Sequence, residues 1–165
     1  MIKFIKEKCR LNDTRFSFGA TAAIITNLSL VVGLRTGEHV KLSIIAGMLV
    51  IALADNVSDS VGIHIYQESE CLAQKEVWLT TLTNFMTRLL VSLTFIALVL
   101  FLPLPLAALV SLIWGLSLLG FISYHIARER GLNPYMAILE HLSIALIVVL
   151  MSDFFGRLVI TKFKL

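Results

Sequence analysis

The stretch Leu42-Ser43-Ile44-Ile45-Ala46-Gly47-Met48-Leu49-Val50-Ile51-Ala52-Leu53-Ala54 is thirteen residues without a charge. It runs directly into Asp55-Asn56-Val57-Ser58-Asp59-Ser60-Val61-Gly62-Ile63-His64-Ile65-Tyr66. Thirteen helical residues cover about 20 Å, whereas about 20 residues are needed to cross about 30 Å of hydrocarbon. The apolar half is therefore too short to cross alone, and a membrane helix here has to carry at least two aspartates into the bilayer. An ionised carboxylate at mid-bilayer costs about 2.5–3.5 kcal/mol on insertion scales, so such residues mark function or tight compensation.

The remainder of the chain supports a membrane reading. Of its 165 residues 58% are hydrophobic and 15% charged, and the mean hydropathy is +0.88. Soluble domains run at about 45–50% apolar and about 25% charged. Composition excludes a disordered chain, a collagen and a disulfide scaffold, and it argues against a soluble enzyme. Cys9 and Cys71 have no CxxC or Cys/His spacing around them, so no zinc or redox motif is expected. The formal charge of +3 does not point to nucleic acid, because the basic residues sit mostly between apolar segments. The basic N-terminal stretch has no apolar core and reads as a short cytoplasmic head rather than a cleavable signal.

Working outward, five spans are predicted, at about 16–34, 42–66, 78–101, 104–127 and 135–160, in a single transmembrane domain covering 1–165. Residues 89–127 are uncharged, too long for one crossing, and Pro103 and Pro105 divide them into two helices. Asn133-Pro134 reads as a helix cap followed by proline at the first helical position. The expected fold is an all-α membrane protein of five helices per protomer. A thin bundle of this kind encloses little space, so a ten-helix homodimer in membrane lipid is expected. Gly19/Ala23, Ser58/Gly62 and Ser111/Gly115 are small-residue pairs suited to close helix contact. Lys and Arg are more numerous on the side holding the N-terminus and the 2–3 and 4–5 loops. This predicts a cytoplasmic N-terminus and an external C-terminus, in a cytoplasmic membrane.

Asp55 and Asp59 are four residues apart and share a helix face. Asn56, Ser60, His64 and Glu68 lie beside them, and Glu68 and Glu70 would stand at the cytoplasmic mouth. Two stacked carboxylates repel unless a proton or a cation lies between them. Hard divalent cations favour carboxylate, amide and carbonyl oxygens, and imidazole suits iron. Asn27, midway along span one, can reach the same depth. The candidate metal ligands are thus Asp55, Asp59, Asn27, Asn56, His64, Glu68 and Glu70, with Ser60, Asn84, Arg88 and Glu140 as supporting residues. The competing reading pairs Asp55 or Asp59 with Arg88 of span three in a structural ion pair. For Asp153, an intrahelical salt bridge with Arg157 is the better expectation.

These residues resemble the vacuolar iron transporter (VIT) family of Fe²⁺/Mn²⁺ carriers. The resemblance lies in span one from Phe18 to Leu34, in Ser58-Asp59 followed by Gly62 and then Gln67-Glu68-Ser69-Glu70, in Gly120 with Arg128-Glu129-Arg130-Gly131, and in Phe155-Gly156-Arg157-Leu158. It implies a five-helix protomer, a homodimer with its pathway between subunits, and proton-coupled export of divalent iron or manganese. Fe²⁺ or Mn²⁺ would be a transported substrate, with no permanently bound cofactor. The chain departs from the family pattern in several places. Asn27 stands where the family carries an aspartate, and Asp59 stands where it carries a methionine. Ile51 falls near a family acidic position. The cytosolic metal-binding domain of plant and fungal-type members is missing, since only Cys71 to Val77 separates spans two and three. The leading expectation is a divalent metal transporter that is not an enzyme. The alternative is a non-transporting membrane metal-binding or assembly module with the same fold.

Overall fold

A computed structural model describes residues 2–35 and 40–163, with side chains from Ser17 to Arg35 and from Val40 to Lys162. The described residues form helices and short turns, with no strand among them. In chain order these are α1 (Ile2–Gly33), α2 (Val40–Val50), a π-helical segment (Ile51–Asp55), α3 (Asn56–Ser69), α4 (Gln74–Phe101), α5 (Leu104–Glu129) and α6 (Pro134–Phe163). Among the described residues, four helical runs are long and apolar enough to cross a membrane: Val40–Ser69, Gln74–Phe101, Leu104–Glu129 and Pro134–Lys162. A shorter apolar run, Ser17–Gly33, lies within α1. The architecture is consistent with an integral membrane protein. The predicted spans lie along these helical runs, except that Leu34 falls one residue past α1, and α1 reaches back through the expected head to Ile2.

The breaks have local causes. Pro103 precedes α5, and Pro105 sits in its first turn, where a missing N–H costs nothing. After α5, Gly131 adopts a left-handed φ of 68°, and the Leu132 N–H returns to the Ala127 carbonyl at 2.9 Å. This is the six-to-one closure of a Schellman turn, in which glycine has no Cβ to clash. Asn133 then caps α6, its Oδ1 accepting the Tyr135 N–H at 3.0 Å. The turn between α3 and α4 closes in the same way, with the Leu72 N–H on the Gln67 carbonyl. There the left-handed position, φ 55°, is held by Cys71.

α1 is the hub, packed against α4, α6 and α5, while α6 also lies against α5. Ile24, Leu28 and Val31 of α1 join Ile44 and Met48 of α2, Phe95 and Val99 of α4, Leu119 of α5 and Val149 of α6 in one apolar core. Large apolar side chains such as Leu42, Leu90, Phe101, Phe121 and Leu139 cover the outside, as befits a surface that meets lipid rather than water. At one end of the bundle, Lys41 Nζ donates to the Leu102 carbonyl at 3.2 Å. At the same end Asp153 bonds both Arg35, at 2.8 Å, and Arg157, at 3.0 Å. The expected Asp153–Arg157 bridge is therefore present, with a third member from the end of α1.

The π segment has a packing reason. Buried positions on this run recur every four residues, at Ile44, Met48, Ala52, Asn56 and Ser60. In a pure α-helix a four-residue step overshoots a full turn by about 40°, so this stripe would wind away from α1 and α4. A wider turn takes up part of that drift. The Asn56 N–H reaches back to the Ile51 carbonyl, the five-residue bond of a π-bulge, a feature that often accompanies functional sites.

Candidate functional site

Immediately after the π segment, α3 runs antiparallel to α4, and polar side chains join the two helices at successive turns. His64 Nδ1 lies 2.9 Å from Thr81 Oγ1. The Thr81 hydroxyl hydrogen is directed to the Val77 carbonyl. Asn84 Nδ2 donates to Ser60 Oγ at 3.1 Å, and Asn56 Nδ2 to the Phe85 carbonyl at 2.9 Å. Arg88 then donates through one guanidinium nitrogen to Asp55 Oδ2 at 2.5 Å and through the other to Asp59 Oδ2. One turn further along α4, Ser92 Oγ accepts from Asn27 Nδ2 at 2.9 Å, which brings in α1. Thr81, Asn84, Arg88 and Ser92 thus form a polar seam along α4.

Arg88 is the centre of this seam. Its side chain is 3% exposed, whereas Asp55 and Asp59 retain 47% and 38%. The guanidinium reaches the carboxylates from inside the bundle, and both bonds use Oδ2. Gly19 makes room for it, since a Cβ there would lie 2.8 Å from Asn84 Oδ1 and 3.2 Å from Arg88 Cγ. Of the small-residue pairs read from the sequence, Gly19/Ala23 and Ser111/Gly115 serve contacts within the chain: Ala23 and Ser111 are buried, and Gly115 seats Leu28. Ser58 and Gly62 face outward on α3, on the same side as the two aspartates, and Gly62 has open space where a Cβ would be.

The predicted ligand set divides around α3. Asp55 and Asp59 share one face, as the four-residue spacing requires. Asn56 and Ser60 lie about 100° further round and are buried at 1% and 3%. His64 Nε2 stands 3.4 Å from Glu68 Oε1, which also accepts from Gln74 Nε2. Its ring packs edge-on against Trp78. Glu70 is exposed at the end of α3. Asn27 is buried, and its hydrogen bonds go to Ala23 and Ser92. Glu140 is exposed on α6, a helix packed on α5 and α1 rather than on α3. Among the described residues, no three His, Cys, Asp or Glu side chains converge on a point where a metal ion could be held. The cation between the two aspartates is the guanidinium of Arg88, which bonds both of them where the competing reading of the sequence paired it with one or the other.

Thr81, Ser92 and the Phe85 carbonyl were not among the expected contributors. A signal for Arg88 itself does exist in the sequence. It is the single charged residue between Trp78 and Phe101, and a lone buried cation requires an anion from a neighbouring span. Four buried amide oxygens, those of Asn27, Asn56, Gln67 and Asn84, have no hydrogen-bond partner among the described residues, and with three of them on Asn27, Asn56 and Asn84 the seam carries more acceptors than it satisfies. Comparison with family models, with curated proteins and with solved structures found no match for this chain.

Proposed function

We propose that the protein is a homodimeric membrane carrier that moves a divalent metal cation, Fe²⁺ or Mn²⁺, out of the cytosol in exchange for protons. Its N-terminus is on the cytoplasmic side, and Asp55 and Asp59 handle the ion. The observation that carries this reading is the exposure of both carboxylates on a helical run long enough to span a bilayer. A carboxylate turned to lipid costs about 2.5–3.5 kcal/mol, so this face of α3 belongs against a second copy or a water-filled path. The small residues Ser58 and Gly62 on the same face favour close approach of another helix. Each protomer brings two carboxylates and one guanidinium. A pair of protomers therefore gathers an excess of negative charge and oxygen donors, the environment that hard divalent cations prefer. The family resemblance of span one and of Ser58-Asp59…Gly62 supports the same reading.

The test is flux of Fe²⁺ and of Mn²⁺, measured separately in sealed proteoliposomes with an imposed pH gradient. The expected result is uptake that follows the gradient and is lost in the Asp55→Asn/Asp59→Asn variant, assayed at a temperature where thermal unfolding shows that variant to be folded. A folded protein that moves neither metal removes the transport reading. A second reading, an assembly or metal-binding module without transport, is favoured by the Arg88 bridge, because both carboxylates already hold a counter-charge. Metal binding without flux supports that module.

A further inference from the structure

We propose that Arg88 is a tethered competitor cation that sets how tightly the Asp55–Asp59 pair holds a divalent metal; this rests on the carrier reading given above. The argument begins with position. The guanidinium bonds Oδ2 of each aspartate and so stands where a cation between two stacked carboxylates belongs. It arrives from the buried side, while the carboxylates are open on the other. Their Oδ1 atoms are therefore left for an ion approaching from the open face.

Charge supplies the second step. Two aspartates alone would balance a divalent cation and bind it tightly. With the guanidinium in place the cluster carries a net single negative charge, and an incoming metal is repelled by a fixed positive group at close range. A carrier has to release its ion as well as bind it, and a built-in competitor weakens the bound state. The fork of an arginine suits this role, since its rigid donors bond two carboxylates at once, which the single ammonium of a lysine does less well.

A third observation lies on the buried side of the cluster. Asn56 and Asn84, 1% and 0% exposed, flank the cluster, one beside Asp55 in sequence and the other one turn before Arg88. Each has an amide oxygen without a partner among the described residues. Asn84 Oδ1 lies against Gly19 of α1 and Asn56 is turned about 100° from the aspartate face, so these acceptors belong to the surroundings from which the guanidinium reaches the carboxylates.

The experiment measures Mn²⁺ binding to purified wild-type protein and to Arg88→Gln, Arg88→Lys and Arg88→Ala by the loss of the free Mn²⁺ paramagnetic resonance signal. Folding of each variant is checked by thermal unfolding. Arg88→Gln is expected to bind Mn²⁺ at least tenfold more tightly than wild type, with Arg88→Lys between the two. Free guanidinium added to Arg88→Ala should refill the vacated position and drive Mn²⁺ off, while leaving wild-type binding unchanged. Equal Mn²⁺ affinity in wild type and Arg88→Gln overturns the proposal. Should Arg88→Gln fail to fold, Arg88→Lys with wild-type affinity overturns it equally. Tight binding by Arg88→Gln alongside a wild-type protein without flux would leave the competitor role standing and remove the carrier reading. Gradient-driven wild-type flux with no gain in Arg88→Gln affinity would do the reverse.

Discussion

Arg88 of α4 and Asp59 of α3 form a salt bridge whose two halves live in different surroundings: the guanidinium is 3% exposed and the carboxylate 38%. The cation is fully committed to the protein interior, and the anion is only half committed. Loss of the aspartates should therefore harm the fold more than their own exposure suggests, because it strands a buried charge.

The first prediction follows from that asymmetry. Asp55→Asn/Asp59→Asn should lower stability by about 3–5 kcal/mol, the range seen when a buried charge loses its partners. Adding Arg88→Met should restore much of the loss, since the buried charge is then gone. Thermal unfolding in detergent decides this. A double variant as stable as wild type would mean that Arg88 finds water or another anion.

Asp153 offers the opposite case. It also bonds two arginines, but Arg35 and Arg157 are 39% and 60% exposed. Exposed pairs contribute about 0.2–1 kcal/mol each. With two such pairs, Asp153→Asn should thus cost about 0.4–2 kcal/mol, and the cost should shrink further in high salt. A loss as large as that of the Asp55/Asp59 double variant would contradict the solvated placement of this cluster.

Glycine positions should separate by what a methyl group meets. At Gly156 a Cβ would collide with the Gly33 carbonyl oxygen, where α6 crosses α1 backbone to backbone. At Gly115 it would meet only the side chain of Leu28, 2.8 Å away, which can change rotamer. Overpacking costs about 1–3 kcal/mol and more where nothing can yield. Gly156→Ala is expected to fall at or above the top of that range and Gly115→Ala near its bottom. Melting temperatures of the two variants, measured side by side, provide the check.

Cys71 holds a left-handed backbone at the end of α3. That conformation costs an ordinary L-residue about 1–2 kcal/mol, partly offset by glycine's larger entropy loss on folding of about 0.5–1 kcal/mol. Cys71→Gly should raise stability by about 0.5–1 kcal/mol without altering metal flux. A lower melting temperature would show that this turn gains more from the cysteine side chain than the backbone loses.

Much of the architecture was legible before any coordinates. The length of each uncharged run, the Pro103/Pro105 interruption and the Asn133-Pro134 start depend on local chemistry, and local chemistry is written in order along the chain. The candidate site was legible in part. A four-residue spacing places Asp55 and Asp59 on one face wherever the helix goes, and Arg88 was visible as their competing partner. The division of the ligand stripe was harder to see. Asn56 and Ser60 turn inward because the buried face of this run recurs every four residues, and the π turn that sustains such spacing is a response to packing on α1 and α4.

By itself, then, the sequence determined that the chain is a set of apolar helices, that Pro103/Pro105 and Asn133-Pro134 separate the later ones, and that two aspartates and one arginine lie within largely apolar stretches. Those are consequences of hydrophobic transfer and of backbone geometry at proline and glycine, each acting over a few residues. Only the tertiary structure decided that Arg88 takes both aspartates, that Gly19 clears space for it, and that Asp153 binds across to Arg35. Each of these joins residues far apart in the chain, at distances of a few ångströms that helix spacing cannot set. The physical reason is that an ion pair in a low-dielectric interior is chosen by which helices pack together, and packing is a property of the whole bundle.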